Sequence, residues 1–149
     1  MIRPELTVAT VLEDGGRFLL VEERAHGRVV FNQPAGHVEP GETIAAAARR
    51  ETLEETGRQV TLQALLGVWY WPHAPSGDSI LRCAFSAVID AHDAARPLDD
   101  VIVATHWLSH DELLTRQAQL RSPLVLAAID AWLDGVRLPL HAIHSLTDA

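Results

Sequence analysis

The sequence predicts an α+β fold in which a mixed β-sheet lies between helices. Strand-like segments rich in Val, Leu, Phe and Thr precede and follow one Ala- and Glu-rich helical segment, and two further helical segments end the chain. The 149 residues are 48% apolar and 21% charged, which is typical of a globular domain. No repeat or long linker divides the sequence, so we expect a single domain over 1–149.

The first third of the chain predicts strands and one shaped loop. Segments 7–12 and 17–22 flank the turn signal Asp-Gly-Gly at 14–16, so we expect them to pair as an antiparallel hairpin. A short apolar run at 29–31 leads into "NQPAGHVEPGE". Two prolines and two glycines in so short a stretch favour a loop rather than a regular element.

The segment 43–56 is the clearest helix of the sequence. It is rich in Ala, Arg, Leu and Glu, with Thr43 as a suitable N-cap and Gly57 as a C-terminal stop. The remaining predicted elements are strands over 60–71, 79–90 and 101–108, a helix over 110–116 capped by Ser109 and Asp111, and a helix from Ser122-Pro123 to Gly135. "PHAPSGD" is expected to close a hairpin between the first two of these strands.

Composition and charge exclude several classes of function. Twenty acidic residues against twelve basic ones give a formal charge of -8, which argues against nucleic-acid binding. All twelve basic residues are arginine, so the chain has neither the lysine of a P-loop nor a Schiff-base lysine. The single cysteine, Cys83, lies in the apolar segment "ILRCAFSAV" and is expected in the core.

The sequence carries no signal for export or membrane insertion. Charged residues interrupt the apolar positions of the N-terminus, and prolines and polar residues interrupt the longest uncharged stretch. We therefore expect a cytoplasmic protein without a membrane partner. The oligomeric state stays open, with a monomer as the working expectation.

Three glutamates share one face of the predicted helix. At 100° per residue from Ile44, Glu54 lies at about 280°, Glu51 at about 340° and Glu55 at about 20°. Small apolar residues occupy the same sector one or two turns earlier, so this face should adjoin the sheet. Like charges at i,i+4 near the C-terminal end of a helix repel each other and are disfavoured by the helix dipole.

A divalent cation would compensate this arrangement. Carboxylates withdrawn from water must raise their pKa values or acquire a cation, and Mg²⁺ binds carboxylates while bridging to substrate phosphates. The alternative is a solvated acidic stripe that Arg50, at i,i+4 to Glu54, partly neutralises. The preceding Gly-rich loop reaches the N-terminus of this helix, where its carbonyls can complete an oxygen shell.

The segment 36–58 resembles the Nudix box. "GHVEPGETIAAAARRETLEETG" contains Gly36, then Glu42, Arg50-Glu51, Glu54-Glu55 and Gly57 at the box spacing, with Thr52 and Arg58 at two usually aliphatic positions. The resemblance implies the Nudix α/β/α sandwich and a hydrolase, binding Mg²⁺ or Mn²⁺, that acts on nucleoside diphosphates linked to another group.

The resemblance also implies roles for individual residues. Glu51, Glu54 and Glu55 are the implied metal ligands, Glu54 through water, with the Ala35 carbonyl as a backbone ligand. Arg50 would orient the glutamates, and Glu42 would support the loop and the helix. We assign Glu51 to the activation of the attacking water, so Glu51, Glu54 and Arg50 form the predicted catalytic set.

Other candidate residues lie outside the box. A further base or ligand can come from Asp93, Asp99 or Asp100, although solvated loop aspartates explain each of them as well. Trp69 and Trp71 share one face of a strand and can stack a base, with core packing as the alternative.

Amide groups next to the box and three arginines are further candidates. Asn32 and Gln33 offer amides to a pyrimidine or a phosphate, although Asn32 also suits a turn. Arg24, Arg28 and Arg82 are possible phosphate contacts that surface ion pairs explain equally well.

Four further segments, "RPELTVATV", "FNQPAGH", "LRSPLV" and "LPLHAI", are similar to a phosphatase branch of the Nudix family. This similarity implies release of orthophosphate from nucleoside tri- and diphosphates and from hydroxymethylpyrimidine diphosphate. The alternatives are an ADP-sugar or dinucleoside polyphosphate hydrolase, a nucleotide-binding module without catalysis, and a purely structural domain. Pro72 lies where some ADP-sugar hydrolases carry a proline, which is the one feature that favours the first alternative.

Overall fold

The computed structural model describes residues 1–146 and contains eight strands and three α-helices. The strands are β1 (Glu5–Val11), β2 (Glu13–Asp14), β3 (Arg17–Ala25), β4 (Arg28–Asn32), β5 (Ala35–His37), β6 (Arg58–Trp71), β7 (Ile80–His92) and β8 (Ile102–Ser109). The helices are α1 (Ile44–Thr56), α2 (His110–Thr115) and α3 (Leu124–Leu133), with short 3-10 turns at Gln117–Gln119 and Leu140–Ala142.

The predicted mixed sheet is present, with the strand order β5-β1-β7-β6. Strand β1 runs parallel to β7, whereas the β1/β5 and β6/β7 pairs are antiparallel. The long β6/β7 hairpin matches the prediction, and three register shifts along it change the pairing of the two strands. These observations confirm the α+β fold class.

A second sheet, which the sequence did not predict as a separate unit, contains β2, β3, β4 and β8. Strand β3 is its centre and pairs antiparallel with each of the other three strands. The predicted hairpin between 7–12 and 17–22 is therefore wrong, because β1 belongs to the first sheet and only β2 pairs with β3 around the Asp-Gly-Gly turn. The last five residues of β1 are all buried, as expected for a strand covered on both faces.

The loop prediction after Asn32 also needs correction, because Ala35–His37 forms the edge strand β5. Strand β5 pairs with β1, and flanking backbone bonds extend this pairing: Thr10 N donates to Pro34 O at 3.0 Å, and Val38 N donates to Leu6 O at 3.1 Å. Proline and glycine signals indicated irregular backbone here, but pairing with a distant strand overrides a local preference.

The caps of α1 lie where the sequence predicts them. Thr43 Oγ1 accepts a hydrogen bond from Ala46 N at 3.1 Å, and Gly57 ends the helix with a left-handed φ of 71°. Ser109 likewise begins α2 with a full capping box that includes Glu112. Local signals therefore located both helix starts correctly.

Two hydrophobic clusters stabilise the fold. One contains residues of α3 together with Phe18, Leu20 and Phe31 of the second sheet. The other contains Ala47 and Ala48 of α1 together with strand residues of both sheets, including Cys83, which is buried as predicted. Among residues 1–146, no helix is long and apolar enough to cross a membrane.

Candidate active site

The face of α1 that packs on the protein changes from apolar to acidic along the helix. Its buried residues begin with Ala47 and Ala48 and continue through Thr52 to Glu55. Thr52 fills its unusual position with hydrogen bonds to Thr10 Oγ1 at 3.0 Å and to the Ala48 carbonyl at 2.8 Å. A hydroxyl is therefore accommodated where an aliphatic side chain is usual, and the end of the helix is held against β1.

Glu55 is the most deeply buried of the three glutamates, with 5% of its surface exposed. Its Oε1 accepts a hydrogen bond from Ala35 N at 2.9 Å. Burial raises the pKa of Glu55 from an ordinary value of 4.5 to about 9, although the Ala35 amide opposes this rise. Without a cation, the Glu55 carboxyl is therefore protonated at neutral pH, which excludes a solvated acidic stripe at this position.

Glu51 lies against the backbone of β5. A Cβ added at Gly36 would overlap the Glu51 carboxylate, so the glycine allows the carboxylate to approach the strand. Burial raises the pKa of Glu51, and the hydrogen bond from Arg50 acts in the opposite direction. The Glu51 carboxylate is therefore partly desolvated, and the positively charged guanidinium of Arg50 holds it in place.

Arg50 connects the loop before α1 with the glutamates of the helix. It donates to Glu42 through Nε at 2.7 Å and through Nη2 at 3.0 Å, and to the His37 carbonyl at 3.0 Å. Its Nη1 donates to Glu51 at 2.8 Å and to Glu54 at 3.2 Å. These bonds raise the pKa of Arg50 and lower that of Glu42, so the guanidinium is a permanent positive charge beside the cluster.

Asp99 is the aspartate that the fold brings to this cluster. Ligand atoms of Glu51, Glu55 and Asp99 all lie within 4.8 Å of one another. The Asp99 N–H donates to the Glu54 carbonyl at 3.0 Å, which ties the 93–101 segment to the end of α1. The sequence left three aspartates open, and of these the geometry favours Asp99. Asp93 instead caps a turn by accepting a bond from Ala95 N at 3.1 Å.

Glu54 occupies a different position from its two neighbours. Its side chain is 33% exposed, and its carboxylate accepts the bond from Arg50. It borders an open cavity of about 430 Å³ that Asp99, Asp100 and Arg96 also line. Glu54 therefore faces the open cavity and does not point to the centre of the cluster formed by Glu51, Glu55 and Asp99.

The carbonyl of Ala35 points away from the sheet. In an antiparallel ladder, alternate residues exchange bonds with the partner strand, and here the backbone groups of Pro34 and Val38 bond to β1. Ala35 follows Pro34 directly and is at an alternate position that does not bond to β1, so its N–H and C=O point away from β1. The hydrogen bond from Ala35 N to Glu55 shows this direction. An oxygen of this backbone thus lies on the side of the strand that faces the carboxylates.

Trp69 and Trp71 lie on one face of β6, and Tyr70 lies on the other. Both tryptophans are half-buried, whereas Tyr70 is exposed. Trp69 packs against the cluster that contains α3, and its ring lies over Gly67, where an added Cβ would come within 2.8 Å of it. Trp69 therefore contributes to core packing, whereas Trp71 is half-buried without belonging to either hydrophobic cluster, and base stacking by the pair stays a prediction.

Asn32 and Gln33 are buried beside the box. Asn32 Nδ2 donates to Glu23 at 3.3 Å, and Gln33 Nε2 donates to the Val125 carbonyl at 2.6 Å. Within the described part of the chain, Asn32 Oδ1 and Gln33 Oε1 are buried without a hydrogen-bond donor. Each amide is thus oriented by one bond, and its oxygen is an unsatisfied acceptor enclosed by the protein.

The three candidate arginines outside the box have different environments. Arg24 and Arg28 are exposed, and Arg24 Nη1 donates to the Asp100 carbonyl at 3.5 Å. Arg82 is buried in the middle of the mixed sheet. Sequence reasoning missed its neighbours Glu23 and Arg121, which form an ion pair of 2.7 Å. The available signal was a charged residue, Glu23, in an otherwise buried strand segment.

The chain matches the NUDIX domain family over residues 1–128. It is 39% identical over 143 residues to the phosphatases NudJ of Shigella boydii serotype 4 and of Escherichia coli K12, and the alignment covers 96% of this chain and 92% of each relative.

Solved structures show the same relationship. A NUDIX hydrolase from Nitrosomonas europaea is 42% identical and superimposes with a TM-score of 0.94 over 97% of this chain and 98% of the other. A MutT NUDIX hydrolase from Burkholderia pseudomallei, 23% identical, shares the fold with a TM-score of 0.73 over 87% of this chain and 98% of the other.

Members of this family are hydrolases that generally use divalent metals and act on small nucleotide substrates. The box residues, the carboxylate cluster, the family match, the similar phosphatases and the similar solved structures all indicate the same family. The chain belongs to the NUDIX domain family and is a Nudix hydrolase.

Proposed function

We propose that this protein is a Mg²⁺-dependent Nudix phosphatase that releases orthophosphate from nucleoside tri- and diphosphates and from hydroxymethylpyrimidine diphosphate. The observation that carries the proposal is the convergence of Glu51, Glu55 and Asp99 within 4.8 Å, beside a permanently charged Arg50. The similarity to phosphatases named NudJ supports the phosphatase class.

The donor set fits a hard divalent cation. Glu51, Glu55 and Asp99 would hold it through carboxylate oxygens, the Ala35 carbonyl would add a backbone oxygen, and Glu54 would bind through water. Oxygen ligands of this kind suit Mg²⁺ and also Mn²⁺. The raised pKa of the buried Glu55 supports this assignment, because a cation at the cluster would offset the cost of ionising it. The bound ion would supply charge neutralisation at the phosphate oxygens.

Glu51 is the proposed general base. Its carboxylate is partly desolvated, and its raised pKa makes it a better proton acceptor than an exposed glutamate. Arg50 Nη1 binds Oε1 of Glu51 and thereby orients the carboxylate. A water attacking phosphorus would transfer its proton to a Glu51 oxygen, and the P–O bond to the leaving group would break.

The substrate would extend from the cluster across the mixed sheet. Trp69 and Trp71 would stack the ring of a base, because each keeps an accessible edge on the same face of β6. The amide oxygens of Asn32 and Gln33, the other two substrate-binding candidates, are buried and out of reach of a ligand in this conformation, so these two side chains would support the site rather than bind the base.

A substrate panel tests the class of reaction. The protein is incubated with nucleoside tri- and diphosphates, hydroxymethylpyrimidine diphosphate and an ADP-sugar, in Mg²⁺, Mn²⁺ or EDTA, and orthophosphate and nucleoside monophosphate are quantified separately. We expect orthophosphate from the first three substrates and none in EDTA. Nucleoside monophosphate from the ADP-sugar as the main product would favour the pyrophosphatase alternative. Tight nucleotide binding without any product would favour a binding module.

Substitution of the base tests the role of Glu51. Glu51→Gln is expected to lower kcat by about 100-fold or more, the usual contribution of a general base, with an unchanged melting temperature in EDTA. Glu13→Gln, in the short strand β2, is the matched control and should keep the wild-type kcat. Full activity of Glu51→Gln would show that another residue is the base.

A further inference from the structure

Arg96 is a cation at the candidate active site that the proposed mechanism does not yet use. It lies between β7 and β8 and lines the open cavity of about 430 Å³ that Glu54 borders. The charged residues beside it in the wall are all acidic: Glu54, Asp99 and Asp100. Among the described residues that line this cavity, Arg96 therefore supplies the one positive charge. Pockets that hold small ligands have volumes of about 300–1,000 Å³, so the space can accommodate a phosphate chain.

Asp99 connects this cavity with the carboxylate cluster. Its carboxylate forms the cluster with Glu51 and Glu55, whose ligand atoms lie within 4.8 Å of one another, and Asp99 is also part of the cavity wall. A divalent cation that binds protein carboxylates commonly bridges them to substrate phosphates. Phosphates bridged to Asp99 in this way would lie at the wall of the cavity to which Arg96 contributes.

The guanidinium of Arg96 is available to bind an anion. In the described part of the chain its side chain forms no ion pair and no hydrogen bond, although three carboxylates line the same cavity. Arg50, by contrast, already donates to three glutamates and one backbone carbonyl. A chain with a formal charge of -8 repels a polyphosphate, so an uncommitted cation beside the cluster favours substrate binding.

The backbone that carries Arg96 is anchored to the end of α1. Asp93 N donates to Gly57 O at 2.9 Å, and Arg96 N donates to Asp93 O at 3.2 Å. On the other side of Arg96, Asp99 N donates to Glu54 O at 3.0 Å. The proline that follows Arg96 restricts the backbone further. These bonds hold the Arg96 backbone next to the cavity.

We propose that Arg96 binds a phosphate group of the substrate in this cavity. The proposal rests on the proposed function, since it takes the phosphate chain to lie at the carboxylate cluster. A guanidinium binds phosphate oxygens through two parallel N–H donors, which gives both charge and geometry. The base is proposed to stack on Trp69 and Trp71, near the closing turn of the β6/β7 hairpin, whereas Arg96 follows the open end of that hairpin. The group that reaches Arg96 is therefore a phosphate and not the base.

Binding of two ligands tests this contact separately from turnover. α,β-Methylene-ADP and methylenediphosphonate share a P–C–P bridge that cannot be hydrolysed, and only the first carries a nucleoside. Both are titrated by calorimetry in Mg²⁺ with wild type, Arg96→Gln and Arg49→Gln. Arg49 is the matched control, because it is an exposed arginine of α1 that lines a different cavity.

We expect Arg96→Gln to bind both ligands about fivefold to tenfold more weakly than wild type. This range lies between the effect of an exposed ion pair and that of a charged hydrogen bond. Arg49→Gln should keep the wild-type affinities. Wild-type affinity of Arg96→Gln for methylenediphosphonate would overturn the proposal, and a loss confined to α,β-methylene-ADP would assign Arg96 to the nucleoside. Equal losses in both variants would show a long-range effect of charge without a contact.

Salt dependence and melting temperature distinguish a ligand contact from a structural role. Because Arg96 is exposed, salt screens its charge, so the wild-type affinity for methylenediphosphonate should fall more steeply with NaCl than that of Arg96→Gln. The melting temperature in EDTA should be the same for both proteins, since the Arg96 side chain has no bond to lose among residues 1–146. A lower melting temperature together with parallel salt dependences would show a structural role and contradict the contact.

The outcomes also separate this inference from the proposed function. Wild-type protein that binds methylenediphosphonate through Arg96 but releases no orthophosphate from nucleoside diphosphates would refute the phosphatase and keep the phosphate contact. Orthophosphate release by Arg96→Gln with the wild-type KM would keep the phosphatase and refute the contact, because loss of a substrate contact raises KM.

Discussion

At the scale of single residues, Glu55 has the most perturbed carboxyl group of the candidate site. Its folded pKa of about 9 exceeds its ordinary value of 4.5 because burial disfavours the charged form. Between these two values the folded chain binds a proton that the unfolded chain has released. The contribution of the Glu55 carboxyl to the free energy of unfolding is therefore fully present below pH 4.5, and it is lost as the pH rises toward 9.

This linkage predicts how Glu55→Gln changes stability in the absence of metal. In EDTA, the melting temperature of the wild type should fall between pH 6 and pH 9 more steeply than that of Glu55→Gln, because Gln stays neutral and its amide oxygen still accepts from Ala35 N. Calorimetric melting at several pH values measures this difference. Glu13→Gln should keep the wild-type profile, and parallel profiles for wild type and Glu55→Gln would contradict the perturbed pKa.

At the scale of elements, the contact between β5 and α1 decides whether the glutamates can meet. Gly36 lies where any side chain would displace the Glu51 carboxylate, and Gly57 turns the chain at the end of the helix with a φ of 71°. An alanine at Gly57 would also come within 2.7 Å of the Asp93 carbonyl. Gly36 is thus explained by the close approach of the Glu51 carboxylate to β5, and Gly57 by the left-handed turn at the end of α1.

Gly36→Ala tests this contact. Its backbone does not have a positive φ, so the main effect of the methyl group is to displace the Glu51 carboxylate. A shift of about 1 Å in a catalytic group can cost about 100-fold in rate, and we expect a loss of that size in kcat. Gly67→Ala is the contrasting variant, because its methyl group meets the Trp69 ring and should raise KM instead. Unchanged kcat in Gly36→Ala would contradict the proposed position of Glu51.

At the scale of the whole molecule, the cluster combines residues that are distant in sequence. Asp99 reaches α1 because its segment follows the second strand of the long β6/β7 hairpin, and the bonds from Asp93 N to Gly57 O and from Asp99 N to Glu54 O anchor that segment. The metal site we propose therefore depends on the hairpin as well as on the box.

Asp99→Asn tests this dependence. A ligand that binds only the folded state raises stability by about 2.7 kcal/mol when its concentration is 100 times its Kd. We expect Mg²⁺ to raise the melting temperature of the wild type and of Asp100→Asn, the adjacent control, but to raise that of Asp99→Asn much less. Equal Mg²⁺ effects on both variants would remove Asp99 from the ligand set.

Features with local causes were predictable from the sequence. The helix 43–56, its caps and the common face of Glu51, Glu54 and Glu55 depend on residues within a few turns of each other, so periodicity and capping rules located them. The box spacing identified the family for the same reason. The strand content of the chain was also recognisable, because alternation and β-branched residues act locally.

Features that depend on long-range pairing were decided by the tertiary structure. The pairing of β1 with β7, the edge strand β5, the choice of Asp99 and the burial of Arg82 all join segments tens of residues apart. A single sequence contains the residue types for these contacts but no local signal for their partners, because many pairings bury similar apolar area. Only the packed fold determines which carboxylates and arginines are buried next to each other. It therefore also determines which pKa values are shifted and which charges are unpaired at the site.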